Sequence, residues 1–237
     1  MNSNRKTAII VGVLFITATV AGILSVVVLD LILDDPDYLI EVSANENQVI
    51  IGALLVFIMA AACAGIAISL YPILKKYNQV LALGSVGFRI IEAVLFIVVA
   101  IALLSLLTLS QEYVKAGAPD ASHFQTLGTL LLAVRDWAGH VPGLIAFGLG
   151  ALMYYYIFYQ SKLIPRWLSG WGLLGAILWL ASALLSMFGQ LGPFSTITIL
   201  ALPLGVQEMV LAVWLIVKGF NSSAIASGST KTDTSKV

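Results

Sequence analysis

The chain has 237 residues, of which 60% are hydrophobic and only 10% charged; acidic and basic side chains balance to a formal net charge of zero. Mean hydropathy is +1.01. Soluble domains are roughly half apolar and about a quarter charged, so these values exclude one and point to an integral membrane protein. They offer no basic surface for nucleic acid. The single cysteine, Cys63, excludes a disulfide framework and a cysteine-ligated metal.

Taken in order, Arg5 and Lys6 precede an apolar run over residues 8–33. The run is too long for a signal-peptide core and is read as an uncleaved first transmembrane helix, with Ala18 and Gly22 marking a face for close helix packing. Residues 34–48 are acidic and contain Pro36, which predicts a loop or short surface helix. A second helix is expected over 49–70, stopping at Tyr71-Pro72, with Lys75 and Lys76 just beyond. A third, over 80–109, is longer than one crossing requires and should tilt or protrude. Gln111 to His123 reads as a polar loop, with Gly117 and Pro119 as breakers.

The stretch 124–159 is too long for one crossing and is divided by Gly139-His140-Val141-Pro142-Gly143. We expect a fourth membrane helix over 141–159, preceded by an amphipathic segment over 124–137 that is interfacial or continuous with it across a kink. A seventh crossing is disfavoured. Tyr154, Tyr155, Tyr156 and Tyr159 read as an aromatic belt, before a tight loop holding Lys162, Pro165, Arg166 and Trp167. Fifth and sixth helices follow over 168–188 and 195–217, joined by a turn at Gly189–Pro193. The Ser- and Thr-rich stretch 221–237 is expected to be a disordered tail. An even number of helices puts both termini on one face. Nearly all lysines and arginines outside the helices cluster there, so the termini are expected in the cytoplasm.

Inside the third helix, Arg89 and Glu92 stand three residues apart and project from one face. At 1.5 Å per residue, Arg89 lies ~13 Å and Glu92 ~18 Å above Val80, and Glu208 of the sixth helix ~15 Å above Lys218, so all three share the middle of the membrane. Gln207 adds an amide that also needs a partner in a dry setting. One ion pair can form, leaving a surplus carboxylate. Arg135, Asp136 and His140 belong to an outer layer, about 36 Å from the cytoplasmic end of their helix. Asp136 and His140, four apart, share a face and are within reach of a hydrogen bond, with Arg135 a quarter-turn aside and a kink at Pro142 able to tip the group inward. Asp30 is read as interfacial.

The mid-membrane group reads either as a ligand, ion or proton site or as a charge pair that fixes helix register. Neither a metal nor a cofactor is expected, since His123 and His140 form no spaced ligand pair. Nor is a catalytic residue: Ser69, Ser105, Ser182 and Ser186 lie in apolar runs without a nucleophile-elbow pattern.

Three motifs occur in order: Phe88-Arg89-Ile90-Ile91-Glu92, then Leu163-Ile164-Pro165-Arg166-Trp167-Leu168, then Gln207-Glu208-Met209 leading to Trp214-Leu215-Ile216-Val217-Lys218-Gly219-Phe220. In these the chain resembles the bacterial membrane family catalogued as domain of unknown function 4386, over about Lys6 to Phe220. The resemblance implies a bacterial inner-membrane protein and no established activity.

The expected molecule is therefore an all-α, six-transmembrane-helix bundle in contact with the lipid bilayer. Its expected role is a non-enzymatic site for a small solute, lipid or proton in a transporter-like or sensory protein. Arg89 would anchor an anionic group or hold a carboxylate, and Glu208 would titrate. The alternatives are a lipid-acting enzyme with Glu92, Glu208 or Asp136 as general acid or base, and a structural or partner-binding subunit.

Overall fold

A computed structural model describes residues 3–117, 121–188 and 196–226. Among them there is no β-strand; the chain forms helices α1 (Ser3–Leu33), α2 (Tyr38–Ala44), α3 (Glu46–Leu74), α4 (Gln79–Lys115), α5 (Ala121–Ala138), α6 (Leu144–Ser161), α7 (Arg166–Met187) and α8 (Thr196–Val217), with a π-helical turn at Gly139–Gly143 between α5 and α6. Among the described residues, six stretches are long and apolar enough to cross a membrane: α1, α3, α4, the joined α5–α6, α7, and α8 from Ile199. The chain is thus an all-α, multi-pass membrane protein.

The spans pack in chain order. α1 lies on α3, α3 on α4, α4 on α5 and α6, α6 on α7, α7 on α8, and α8 returns to α1, closing a ring. Close backbone approach makes that closure possible: a Cβ on Gly12 of α1 would lie 2.7 Å from the Ala212 carbonyl oxygen of α8. At the same end Arg5 donates to the Leu215 carbonyl at 3.0 Å, and to those of Ile216 and Val217. It thereby satisfies groups that the last turn of α8 would otherwise leave orphaned.

Several segment ends differ from expectation, each for a local reason. α3 runs past Tyr71 to Leu74, because Pro72 lacks only its own N–H and the Lys75 N–H still reaches the Tyr71 carbonyl. α4 continues to Lys115, and its protruding end packs against α2 and α5. α2 occupies part of the acidic loop and buries Leu39 and Val42. Residues 124–137 fall within α5 and continue into α6 through the π-turn, which absorbs Pro142 without ending the helix.

Tyr154 and Tyr155 are fully buried; only Tyr156 and Tyr159 face outward, so the aromatic belt is half the size expected. Residues 222–226 are helical rather than part of a loose tail, with the Asn221 N–H on the Leu163 carbonyl and the Tyr77 hydroxyl on that of Ala224. The expected breaker Pro119, the turn at Gly189–Pro193 and the tail from residue 227 lie outside the described residues.

The hydrophobic core comes in two parts. One, at the end bearing Arg5, Lys75, Lys162 and Lys218, is built from α1, α3, α4, α6, α7 and α8 around Phe15, Leu70, Tyr154, Phe158 and Leu215. The other, at the acidic end, is built from α1 to α5 around Leu29, Leu39, Val49, Leu103 and Leu106. Between them, at the level of Arg89, the apolar packing is interrupted.

Candidate functional site

That interruption is a cavity of about 250 Å³, room for several waters or a small organic group. Its polar wall is Arg89, Glu92, Cys63, Glu208 and Thr19; its apolar wall includes Phe15, Met59, Phe96, Leu144, Phe147 and Leu204. Arg89 and Glu92 are 2% and 3% exposed, and α4 turns both inward because they lie one helical turn apart. α6 admits the arginine stem by presenting Gly150, where a Cβ would meet Arg89 Cγ at 3.2 Å. The guanidinium carbon then sits 4.8 Å from the Phe147 ring centre, a cation–π contact.

Arg89 Nη1 approaches Glu92 Oε2 to 2.9 Å, yet the alignment leaves Nε, Nη1 and Oε2 without a hydrogen bond. The Trp179 indole Nε1–H, in the same wall, also has no partner. Buried donors without acceptors are costly in apolar surroundings, so three such atoms and one such oxygen around a cavity are unusual. Glu208 reaches the cavity from α8, and its Oε1 accepts from the Tyr154 hydroxyl at 3.3 Å. It is not within ion-pair distance of Arg89, which has Glu92 as its only such partner among the described residues.

Gln207 parts company with its neighbour. It is fully buried, donates to the Leu168 carbonyl at 3.0 Å and accepts from the Tyr155 hydroxyl, away from the cavity. Its amide holds α8 to α6 and α7.

In the outer layer, Arg135 bonds the Asp136 carboxylate at 2.9 Å. His140 Nδ1 lies 3.1 Å from the Asp136 backbone carbonyl instead. The side-chain contact within reach of Asp136 and His140 is thus not the one made: the carboxylate pairs with Arg135 and the imidazole turns to the backbone carbonyl. Arg135 and His140 line a second cavity of about 210 Å³, whereas Asp136 does not. Gly22, Met59, Phe96 and Leu144 belong to the walls of both cavities, so the two lie side by side. No three His, Cys, Asp or Glu side chains converge as a metal site among the described residues.

Tyr154, Trp179, Phe147 and Cys63 were not singled out from the sequence as site residues. A usable signal exists for two of them: a tyrosine or tryptophan deep within an apolar run needs a partner for its O–H or N–H, and so marks a polar neighbour.

No curated protein and no solved structure matches the chain. Residues 10–219 match the family described as "Domain of unknown function (DUF4386)". That match takes in α4 with its Arg89–Glu92 pair, the α6–α7 connection and all of α8, and the chain belongs to this family.

Proposed function

We propose that the bundle is a non-enzymatic binding protein whose mid-membrane cavity takes a small amphiphilic molecule carrying an anionic group. The observation that carries this reading is the buried Arg89, a wall residue of the cavity whose Nε and Nη1 have no hydrogen bond. A group that only fixed helix register would be expected to spend those donors on its neighbours. The apolar wall suits the hydrocarbon part of such a ligand, and the neighbouring second cavity, with Arg135 and His140, lies toward the acidic end.

Charge arithmetic adds a condition. One guanidinium and two carboxylates sum to −1, and an incoming anion would make −2 in a low-dielectric site. Binding is therefore coupled to a proton on Glu208, the carboxylate not paired with Arg89. We place the protein in the bacterial inner membrane with cytoplasmic termini. The support is that the described basic side chains at the ends of α1, α3, α6 and α8 have no acidic counterpart at that end.

The test is native mass spectrometry of the protein released gently from membranes, comparing wild type with Arg89→Gln and Glu208→Gln. A small molecule retained by wild type and lost in Arg89→Gln supports the reading, as does binding that weakens with rising pH in wild type but not in Glu208→Gln. Identical spectra for all three proteins, together with unchanged cellular phenotype, overturn it in favour of a packing role.

A further inference from the structure

A separate feature lies at the basic end of the bundle, about ten residues or ~15 Å along α8 from Glu208. A pocket of about 640 Å³ there is lined by Lys162, Arg166 and Lys218 together with Pro165, Trp214 and Phe220. None of the three cations forms an ion pair among the described residues. Trp214 and Lys218 also belong to a second groove of about 480 Å³, whose other walls are Val206, Met209, Val210, Val213 and Val217 of α8. A positively charged pocket thus adjoins an apolar groove on the outward face of a membrane-spanning helix.

The parts are held in place. Lys162 occupies the left-handed region at φ 57°, closing α6, and its N–H bonds the Phe158 carbonyl. The Asn221 N–H on the Leu163 carbonyl ties the end of α8 to the α6–α7 connection, so cations from both sides face one space. Arg166 lies over the Tyr159 ring at 5.4 Å, and Trp214 stands edge-on to Trp167 at 6.5 Å. Aromatic rings beside cations are characteristic of the level at which lipid headgroups meet hydrocarbon.

We propose that this pocket and groove form a site for one anionic phospholipid, with the phosphate among Lys162, Arg166 and Lys218 and an acyl chain along the Val206–Val217 face of α8. From Val206 to Val217 the groove spans 12 residues, about 16 Å of helix, close to half the ~30 Å hydrocarbon thickness and so to one leaflet. Charge decides the headgroup. A zwitterionic lipid brings its own cation to a place with three unneutralised ones, whereas a net negative headgroup neutralises them. Arginine and lysine both suit phosphate oxygens.

The experiment uses the full chain in a mild detergent, titrated with phosphatidylglycerol, with phosphatidylcholine of the same acyl chains, and with inorganic phosphate, bound lipid being read by native mass spectrometry. The expected result is at least tenfold preference for phosphatidylglycerol, falling to the phosphatidylcholine level in the combined variant Lys162→Asn, Arg166→Gln, Lys218→Gln. Asparagine tolerates the left-handed conformation at position 162. Val213→Trp, at an outward-facing position, fills the groove and should weaken lipid binding several-fold with the cations intact. Because it tests the site alone, it decides the matter should the charge variant fold poorly. Equal binding of the two lipids, or retention in Val213→Trp, overturns the proposal. So does displacement of the lipid by millimolar inorganic phosphate, which would make the pocket a site for a soluble anion. Glu208→Gln should leave this binding unchanged, which separates the site from the mid-membrane cavity.

Discussion

Arg89→Met removes the charge around which the middle of the bundle is arranged. At the observed 2.9 Å separation from Glu92, an effective dielectric constant of ~20 corresponds to about 6 kcal/mol of attraction. Much of that offsets the cost of taking both ions out of water, and the net loss on deleting one member of a buried pair is about 3–5 kcal/mol. For a chain of this size each kcal/mol corresponds to roughly 2–4 °C in the melting temperature, so Arg89→Met should melt about 6–20 °C below wild type. Arg89→Met combined with Glu92→Leu removes both charges at similar volume and should recover most of the loss. Intrinsic fluorescence in detergent gives the readout, since Trp179 packs edge-on to Phe147 at 5.0 Å, the ring on which Arg89 lies. An Arg89→Met protein that melts with wild type, or a double variant that melts as low as the single one, would refute the assignment of Arg89 as the compensating charge for Glu92. A double variant as stable as wild type but devoid of bound ligand would separate the two roles of the pair.

The remaining expectations concern packing and the segments around the site. Gly12→Ala puts a Cβ 2.7 Å from the Ala212 carbonyl and from Ile216 Cγ1, forcing α1 from α8 at a cost of about 1–3 kcal/mol, whereas Gly87→Ala has no neighbour within 4 Å and should be neutral or gain up to ~1 kcal/mol; paired thermal melts compare them. Gln207→Leu leaves the Tyr155 hydroxyl without its acceptor, about 1–3 kcal/mol, and removes from the Leu168 carbonyl a donor additional to its helix bond. It should destabilise the fold in the same melts without abolishing ligand retention. Burial raises the Tyr77 phenol above the ordinary tyrosine range. Its contribution is therefore complete below about pH 10 and is lost as pH climbs through the raised value. Limited proteolysis near residues 222–226 should increase across that window in wild type, and Tyr77→Phe should show the increased cleavage already at neutral pH.

The amino-acid sequence by itself determined the number of crossings, the accumulation of basic residues at one end, and the inward face shared by Arg89 and Glu92. Each follows from one-dimensional rules: about 20 apolar residues span the hydrocarbon, and residues three apart share a helix face. The depth of Glu208 was legible by the same counting. Which atoms meet was not, because partners on different helices depend on the rotation of each helix about its axis, and an almost uniformly apolar helix carries little record of it. Thus Gln207 and Glu208, adjacent in sequence, diverge, one into a dry contact with Tyr155 and Leu168 and the other into the cavity. Asp136 is taken by its neighbour Arg135 rather than by His140, and Tyr154 turns inward to Glu208 rather than outward to the interface. The cavity itself exists only in three dimensions, where two separately packed cores fail to meet around a buried guanidinium that neither can fully satisfy.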